Sequence, residues 1–217
     1  MALVQTGLPV GAALLVAVLV LLRRGMRRAG RSHLAPADRV TVARAVLTCL
    51  VAALATHAPD DGAAVVLLTA VATVALLLDG VDGQVARRTG TASRFGARFD
   101  MEVDALLVLV LSIHVARELG PWVLLIGAAR YLLLGATRLW PWLDREVPPR
   151  HWARVVAVVQ VSVLTGAGSG ALPAGVSTTA VVIALVLLAE SFGHQVAQLR
   201  RVPREVCVAV PDLVRHG

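Results

Sequence analysis

The sequence predicts an all-α protein that crosses a membrane several times. Hydrophobic residues make up 57% of the 217 residues, and the mean hydropathy of +0.75 lies well above that of an ordinary soluble domain. The apolar residues collect in seven runs separated by short polar segments, as is typical of helical membrane proteins. At about 20 residues per span, the chain has room for six or seven transmembrane helices.

The first apolar run is predicted to be a transmembrane helix that the protein retains. Four arginines, Arg23, Arg24, Arg27 and Arg28, follow this run, whereas a signal peptide carries its positive charges before the apolar stretch. The seven runs lie near residues 4–22, 40–57, 62–79, 99–116, 121–139, 155–172 and 176–197. We expect an amino-terminal anchor with a basic linker (1–32), a membrane domain (33–198) and a cytoplasmic tail (199–217).

The arginines predict the orientation of the chain. Of the 21 basic residues, all of them Arg, 18 lie in the linker after the first run, in alternate loops and in the tail. The loops on the other side contain only Arg117. By the positive-inside rule the arginine-rich side faces the cytoplasm. We expect a multi-pass protein of the plasma membrane.

The positive charge is not of the kind that binds nucleic acid. The formal net charge is +7, but aromatic residues make up only 4%, and the arginines lie between apolar runs instead of along one polar face. They are better explained by topology and by contact with anionic lipid headgroups. The two cysteines, Cys49 and Cys207, fit neither a disulfide framework nor a metal site.

Four aspartates flank the third and fourth runs, on the predicted cytoplasmic side. Asp79 and Asp82 are three residues apart, and Asp100 and Asp104 are four apart. Residues at these spacings share one face of a helix. If the two helices are antiparallel neighbours, the pairs face each other across one pocket, and Glu102 points away from it.

Four converging carboxylates repel one another unless a cation lies among them. Their hard oxygen atoms suit Mg²⁺ or Mn²⁺, whose shells phosphate oxygens often complete. The segment between the pairs, expected to be a loop, carries Gly83, Ala86, Arg87 and Gly96. Glycine permits a close backbone approach, and arginine donates bidentate hydrogen bonds to phosphate. The residues thus predict a divalent-metal site for a diphosphate substrate, against the simpler interpretation of aspartates paired with nearby arginines.

This segment resembles the signature of the CDP-alcohol phosphatidyltransferase family. It reads Asp79-Gly-Val-Asp82-Gly83-Gln-Val-Ala86-Arg87, followed after eight, three and three residues by Gly96, Asp100 and Asp104. All eight fixed positions match at their spacings. The six later runs are also similar in number and orientation to the family's six-helix core, so the first run is an amino-terminal addition.

The resemblance implies transfer of a phosphatidyl group from CDP-diacylglycerol to an alcohol, with release of CMP. It implies that Asp79, Asp82 and Asp100 ligate two divalent ions, and that Asp104, beside the same metals, is the general base. Gly83, Ala86, Arg87 and Gly96 are implied to line the CDP pocket. The family tends to form homodimers, and we extend that expectation to this chain.

Thr41 and Arg44 form a weaker match to the start of the family core. The family often shows Asn-x-x-Thr-x-x-Arg there, and in this sequence Asp38 replaces the Asn. Thr41 and Arg44 are candidates for CDP binding. The alternative is a helix start followed by an arginine that extends to the membrane surface.

Two more arginines are candidates for binding the acceptor. Arg130 lies within the fifth run, where a guanidinium is costly unless it meets an anion. It favours a phosphorylated polyol, such as glycerol phosphate or inositol phosphate. Its alternatives are contact with headgroups or pairing with the aspartates. Arg154 starts the sixth run, where some relatives that use glycerol phosphate carry a basic motif, and its alternative is a positive-inside charge.

Two other functions compete with phosphatidyl transfer. A membrane prenyltransferase also holds a diphosphate with aspartates and Mg²⁺, but it usually has a second aspartate-rich motif on a distant helix. A non-enzymatic cation transporter also places carboxylates in a membrane. However, these aspartates lie at a membrane boundary, and the Gly-x-x-Ala-Arg segment has no evident use in conduction.

Overall fold

The computed structural model describes residues 7–28, 30, 33–56, 61–89, 93–139 and 151–201, leaving out the side chains at 37, 82–89, 94, 137–139, 151, 153 and 199–201. These residues form seven α-helices and one 3₁₀ turn, Pro121–Val123, and contain no strand. The helices are α1 (Leu8–Arg28), α2 (Pro36–Ala55), α3 (Gly62–Thr89), α4 (Arg94–Leu119), α5 (Leu124–Leu139), α6 (His151–Gly168) and α7 (Ala174–Arg201). The predicted all-α fold is confirmed. Most of the predicted tail, from residue 202 on, lies outside the described residues.

The helices are those of a polytopic membrane protein. Within the described residues, three segments are long and apolar enough to cross a membrane, namely Leu8–Arg28, Gly62–Val81 and Ala174–Gln198. Two more segments are apolar but shorter, Pro121–Ala136 and Arg154–Gly168. Helices α2 and α4 contain charged residues within their length, including Arg44 in α2 and Asp104 in α4. The charged residues that lower the hydropathy of these two helices thus include predicted site residues.

Helix α3 is longer than its apolar run. The prediction of a loop after residue 79 is wrong, because the helix continues to Thr89. Hydropathy marks the part of a helix that lies in lipid, and it does not detect a polar extension made of residues that favour helix, such as Ala86 and Arg87. Helix α4 then begins after Ser93, whose Oγ accepts the Gly96 N–H at 3.0 Å and so caps the helix.

The main core lies between α2, α3, α4 and α6. Helix α2 packs against both α3 and α4, and α6 packs against α3, α4 and α7. Small residues on α3 let the neighbouring backbones approach closely. The buried residues of this core include Val51, Leu54, Leu68, Ala72, Ala75, Leu107, Leu111, Leu164 and Val181.

Helix α1 packs on the outside of this core, against α2 and α4. Val18 and Leu22 of α1 form a buried cluster with Cys49 of α2 and Phe99 of α4. A Cβ atom on Gly25 would lie 2.4 Å from Cε2 of Phe95, so a larger residue at position 25 would force the ring to move. The amino-terminal helix is therefore in close contact with the helices that carry the candidate site.

Candidate active site

Three of the predicted aspartates meet at one end of the bundle. Asp79 lies in the last part of α3, and Asp100 and Asp104 lie one turn apart near the start of α4. One carboxylate oxygen from each lies within 4.8 Å of the other two. Both helices pack against α2, and α2 therefore brings the two segments together. We call the end where α2 and α4 begin and α3 ends the aspartate end.

Arg44 of α2 lies among these carboxylates. Its Nη1 contacts Oδ1 of Asp100 at 2.5 Å, and its Nη2 contacts Oδ1 of Asp79 at 3.0 Å as well as Oδ1 of Asp104. Its Nε donates to the Ala75 carbonyl at 3.3 Å. One guanidinium thus connects three helices through its charged end.

The burial of these four side chains is unequal. Arg44 is 2% exposed, whereas Asp79, Asp100 and Asp104 are 25%, 33% and 35% exposed. The guanidinium therefore closes the inner side of the cluster, and the carboxylates are open on the outer side. The three carboxylates converge in front of the guanidinium, and converging carboxylates favour a cation among them. A set of carboxylate oxygens fits a hard ion such as Mg²⁺ or Mn²⁺.

Asp38, Thr41 and Arg44 lie on one face of α2. They are three residues apart in turn, and all are buried, with exposures of 2%, 4% and 2%. Oδ2 of Asp38 accepts the N–H of Ala35 at 3.1 Å, which caps the start of α2. The residue that departs from the family pattern is therefore a buried cap at the aspartate end.

Gly96 lies where α4 approaches the start of α2. A Cβ atom at this position would lie 2.6 Å from Oδ1 of Asp38 and 3.1 Å from Oγ of Ser93. Real Cβ atoms essentially never come as close to another atom as the first distance. Glycine at position 96 therefore permits close contact between α4 and the cap of α2, and its role in binding CDP stays a prediction.

The other signature residues lie on the extension of α3. Asp82, Gly83, Ala86 and Arg87 all fall within the helix, but their side chains are outside the described set. The shared face of Asp79 and Asp82 follows from their spacing. Their contacts with metal or CDP stay predictions.

Arg130 is held by a residue that the sequence interpretation left out of the site. Its Nη2 contacts Oε1 of Glu102 at 2.7 Å, and its Nη1 lies 3.8 Å from Sδ of Met101. Nε of Arg130 is buried and has no hydrogen-bond partner among the described residues. Arg154, the other acceptor candidate, is exposed in the first turn of α6.

Sequence reasoning did not anticipate four of these contacts. They are the Asp38 contact with Gly96, the Ala75 carbonyl that accepts from Arg44, the pair between Glu102 and Arg130, and the contacts of Arg44 with the three aspartates. The contact between Arg44 and the Ala75 carbonyl could not be predicted from residue types, because its acceptor is a backbone atom. The third could have been suspected, since Arg130 lies within a predicted membrane span, where it needs an anionic partner, and Glu102 lies near the start of another span.

Comparison with known proteins identifies the family. Residues 34–202 match the family model described as CDP-alcohol phosphatidyltransferase. No curated protein and no solved structure matched the chain. The match includes α2 to α7 and all of the signature, and it leaves out α1. On this match, the chain belongs to the CDP-alcohol phosphatidyltransferase family.

Proposed function

We propose that the protein transfers the phosphatidyl group of CDP-diacylglycerol to an alcohol acceptor in a reaction that needs divalent metal. The family itself implies phospholipid biosynthesis by phosphatidyl transfer. The observation that carries the proposal is the convergence of Asp79, Asp100 and Asp104 at the end of apolar helices. A lipid-linked diphosphate needs both features, a cation site and access from the membrane.

The four aspartates of the signature, Asp79, Asp82, Asp100 and Asp104, are proposed to hold two Mg²⁺ or Mn²⁺ ions. When bound, these ions would neutralise the diphosphate and stabilise the departing CMP. The support is the donor set, in which three carboxylate oxygens lie within 4.8 Å of one another. Asp82 enters the proposal through the signature alone.

Asp104 is proposed to be the general base. A carboxylate oxygen of Asp104 takes the proton of the acceptor hydroxyl while the hydroxyl oxygen of the acceptor attacks the phosphorus on the lipid side. The bond between this phosphorus and the oxygen that bridges to CMP then breaks, and CMP leaves with the electron pair. Support comes from the exposure of Asp104, 35%, which leaves it reachable by an acceptor from the open side of the cluster.

The CDP group is proposed to lie along the extension of α3 and the start of α4. Gly83, Ala86, Arg87 and Gly96 would line it, with Thr41 and Arg44 contributing from α2. Support comes from the placement of Thr41 and Arg44 on the face of α2 that meets the aspartates.

A phosphorylated polyol is the proposed acceptor class, with Arg130 as its main contact and Arg154 as a second. Glu102 holds one edge of the Arg130 guanidinium, while Nε on the other edge is buried without a partner among the described residues. A buried donor of this kind is costly unless it is satisfied. A phosphate oxygen would satisfy it with a charge-assisted bond.

We propose that the protein lies in the plasma membrane with its aspartate end facing the cytoplasm. We also propose that it forms a homodimer. The arginine distribution supports the orientation. The many exposed apolar side chains of α1, α3, α5 and α7 support burial in lipid or against a second copy.

The test is CMP release by the purified chain. CDP-diacylglycerol and Mn²⁺ or Mg²⁺ are supplied with a panel of alcohols that includes glycerol phosphate, inositol phosphate and serine. We expect release with a phosphorylated polyol, and none in EDTA. Release in EDTA would overturn the metal requirement. Cation flux into proteoliposomes that contain no CDP-lipid, with no CMP from any acceptor, would favour a transporter instead.

A further inference from the structure

We propose that Arg44 is a positioning residue that keeps the aspartates of the metal site together until divalent cations bind, and that the cations displace it. This inference rests on the proposed function, because it assumes that Asp79, Asp100 and Asp104 bind metal. It adds a role for Arg44 before any substrate arrives, separate from contact with CDP.

The first argument is that Arg44 uses the atoms that a metal needs. The contacts of its Nη1 and Nη2 are made to one carboxylate oxygen of each of Asp79, Asp100 and Asp104. A small divalent ion bound by these three residues would use oxygens of the same carboxylates. The guanidinium and the cations therefore compete for the same ligands.

The second argument concerns the aspartates without Arg44. Their oxygens lie within 4.8 Å of one another at the end of apolar helices, where the dielectric screening is weaker than in water. Three like charges at this separation repel one another. Since Arg44 is almost fully buried behind them, it supplies the opposite charge from the inner side.

The third argument is the shape of the guanidinium. It is planar and carries five N–H donors, so that it can bind Asp100 with one nitrogen and Asp79 and Asp104 with another. Its Nε donates at the same time to the Ala75 carbonyl, which fixes the side chain against α3. A lysine ammonium is a single point charge and cannot make this set of contacts.

Arg44 therefore has opposite effects on the stability of the metal-free site and on the affinity of that site for cations. Arg44 keeps the empty site assembled, but its positive charge weakens the binding of the cations that must enter. After they bind, the guanidinium is released from the carboxylates and is available to the diphosphate. Arg44 thus lowers metal affinity while it raises the stability of the metal-free protein.

The test compares Arg44→Gln with the wild-type chain in detergent. Mn²⁺ binding is measured from the electron paramagnetic resonance signal of the free ion, and the melting temperature is measured in EDTA and in saturating Mn²⁺. We expect the variant to bind Mn²⁺ about tenfold more tightly, since a like charge has been removed from the site. We also expect its melting temperature to fall by about 5 °C in EDTA and to recover in Mn²⁺.

Arg117→Gln is the matched control, because it removes an arginine from the opposite end of α4. It should leave Mn²⁺ affinity unchanged, and any loss of melting temperature should be the same with and without Mn²⁺. If Arg44→Gln behaves like this control, Arg44 has only a structural role and the inference is wrong.

A second variant covers the case in which Arg44→Gln does not fold. Arg44→Lys keeps a positive charge but loses the planar guanidinium and its set of contacts with the aspartates. We therefore expect a folded protein that binds Mn²⁺ more tightly than wild type. Unchanged affinity in Arg44→Lys would then overturn the inference.

The proposed function is tested separately by CMP release from the wild type. Wild type that releases CMP with Mn²⁺, while the Arg44 variants bind Mn²⁺ no more tightly, overturns the role of Arg44 alone. Wild type that binds no Mn²⁺ overturns both.

Discussion

Arg44 and Arg117 join the same two helices at opposite ends, and they do so in different ways. Arg44 of α2 contacts Asp100 and Asp104 of α4, whereas Nη1 of Arg117 in α4 donates to the Ala55 carbonyl at the end of α2, at 2.5 Å. Arg44 is buried and Arg117 is exposed. Arg44 meets three carboxylates, and Arg117 meets one neutral carbonyl.

The difference separates a functional site from a structural contact. The last carbonyls of a helix lack partners within it and carry partial negative charge, so a cation there is stabilising by itself. Arg117 needs no further explanation. Three carboxylates converge around Arg44, and this set of hard oxygen ligands supports the proposal that the aspartate end binds a cation and a phosphate.

The largest expected effect comes from the proposed base. Asp104→Asn keeps the shape of the side chain but removes its ability to take a proton, so CMP release should fall by about 10³-fold. Steady-state CMP release with saturating Mn²⁺ measures this. The matched control is Asp61→Asn at the other end of α3, where Oδ1 accepts the Ala63 N–H at 2.9 Å.

Asparagine serves this capping role as well as aspartate, and the control should therefore keep wild-type turnover. If Asp104→Asn also keeps it, Asp104 is not the base.

The second largest effect is expected at the acceptor contact. Arg130→Gln removes the charged donor proposed for the acceptor phosphate, so the acceptor KM should rise by about 10- to 100-fold. The KM for CDP-diacylglycerol should stay unchanged, because Arg130 contacts Glu102 and Met101 and not the aspartate cluster. Equal increases in both KM values would contradict an acceptor role. Arg154→Gln in the same assay shows whether the second arginine contributes.

Gly96→Ala comes next, and its effect is mainly on stability. The added Cβ would lie 2.6 Å from Oδ1 of Asp38, so α4 or the cap of α2 must shift, at a cost of about 1–3 kcal/mol in the free energy of unfolding. Denaturant unfolding in detergent measures it. Gly193→Ala in α7, where a Cβ meets nothing within 4 Å, should be neutral or stabilising by about 0.5–1 kcal/mol.

Gly96→Ala combined with Asp38→Ala separates the clash from other causes. If the clash with Asp38 is the cause, the double variant should lose less stability than the sum of the two single variants. Additive losses would locate the cause elsewhere.

These sites show how much of the structure could be predicted from the sequence. Hydropathy predicted the seven helices, but it missed the extension of α3 to Thr89, because it detects contact with lipid and not backbone conformation. The spacing of Asp100 and Asp104 predicted their shared face from helix geometry alone. It gave no indication that Arg44 lies among them, since that depends on α2 packing against both α3 and α4.

The pair between Arg130 and Glu102 was missed for a related reason. Glu102 lies between Asp100 and Asp104 in sequence, and helix geometry correctly separates it from their face. Its partner is 28 residues away, on α5. The packing of α4 against α5 decides which side chain Glu102 meets, and this packing cannot be predicted from the local sequence.

The smallest expected effect is that of Arg117→Gln, at the end opposite the aspartates. Loss of the contact with the Ala55 carbonyl should lower the free energy of unfolding by about 1 kcal/mol or less, because the Arg117 side chain is exposed and an amide can still donate to the carbonyl. CMP release per folded molecule should not change. Denaturant unfolding and turnover are measured on the same preparation. A fall in turnover larger than the loss of folded protein would mean that α2 transmits changes from this end to Arg44, and the two ends would then be one functional unit.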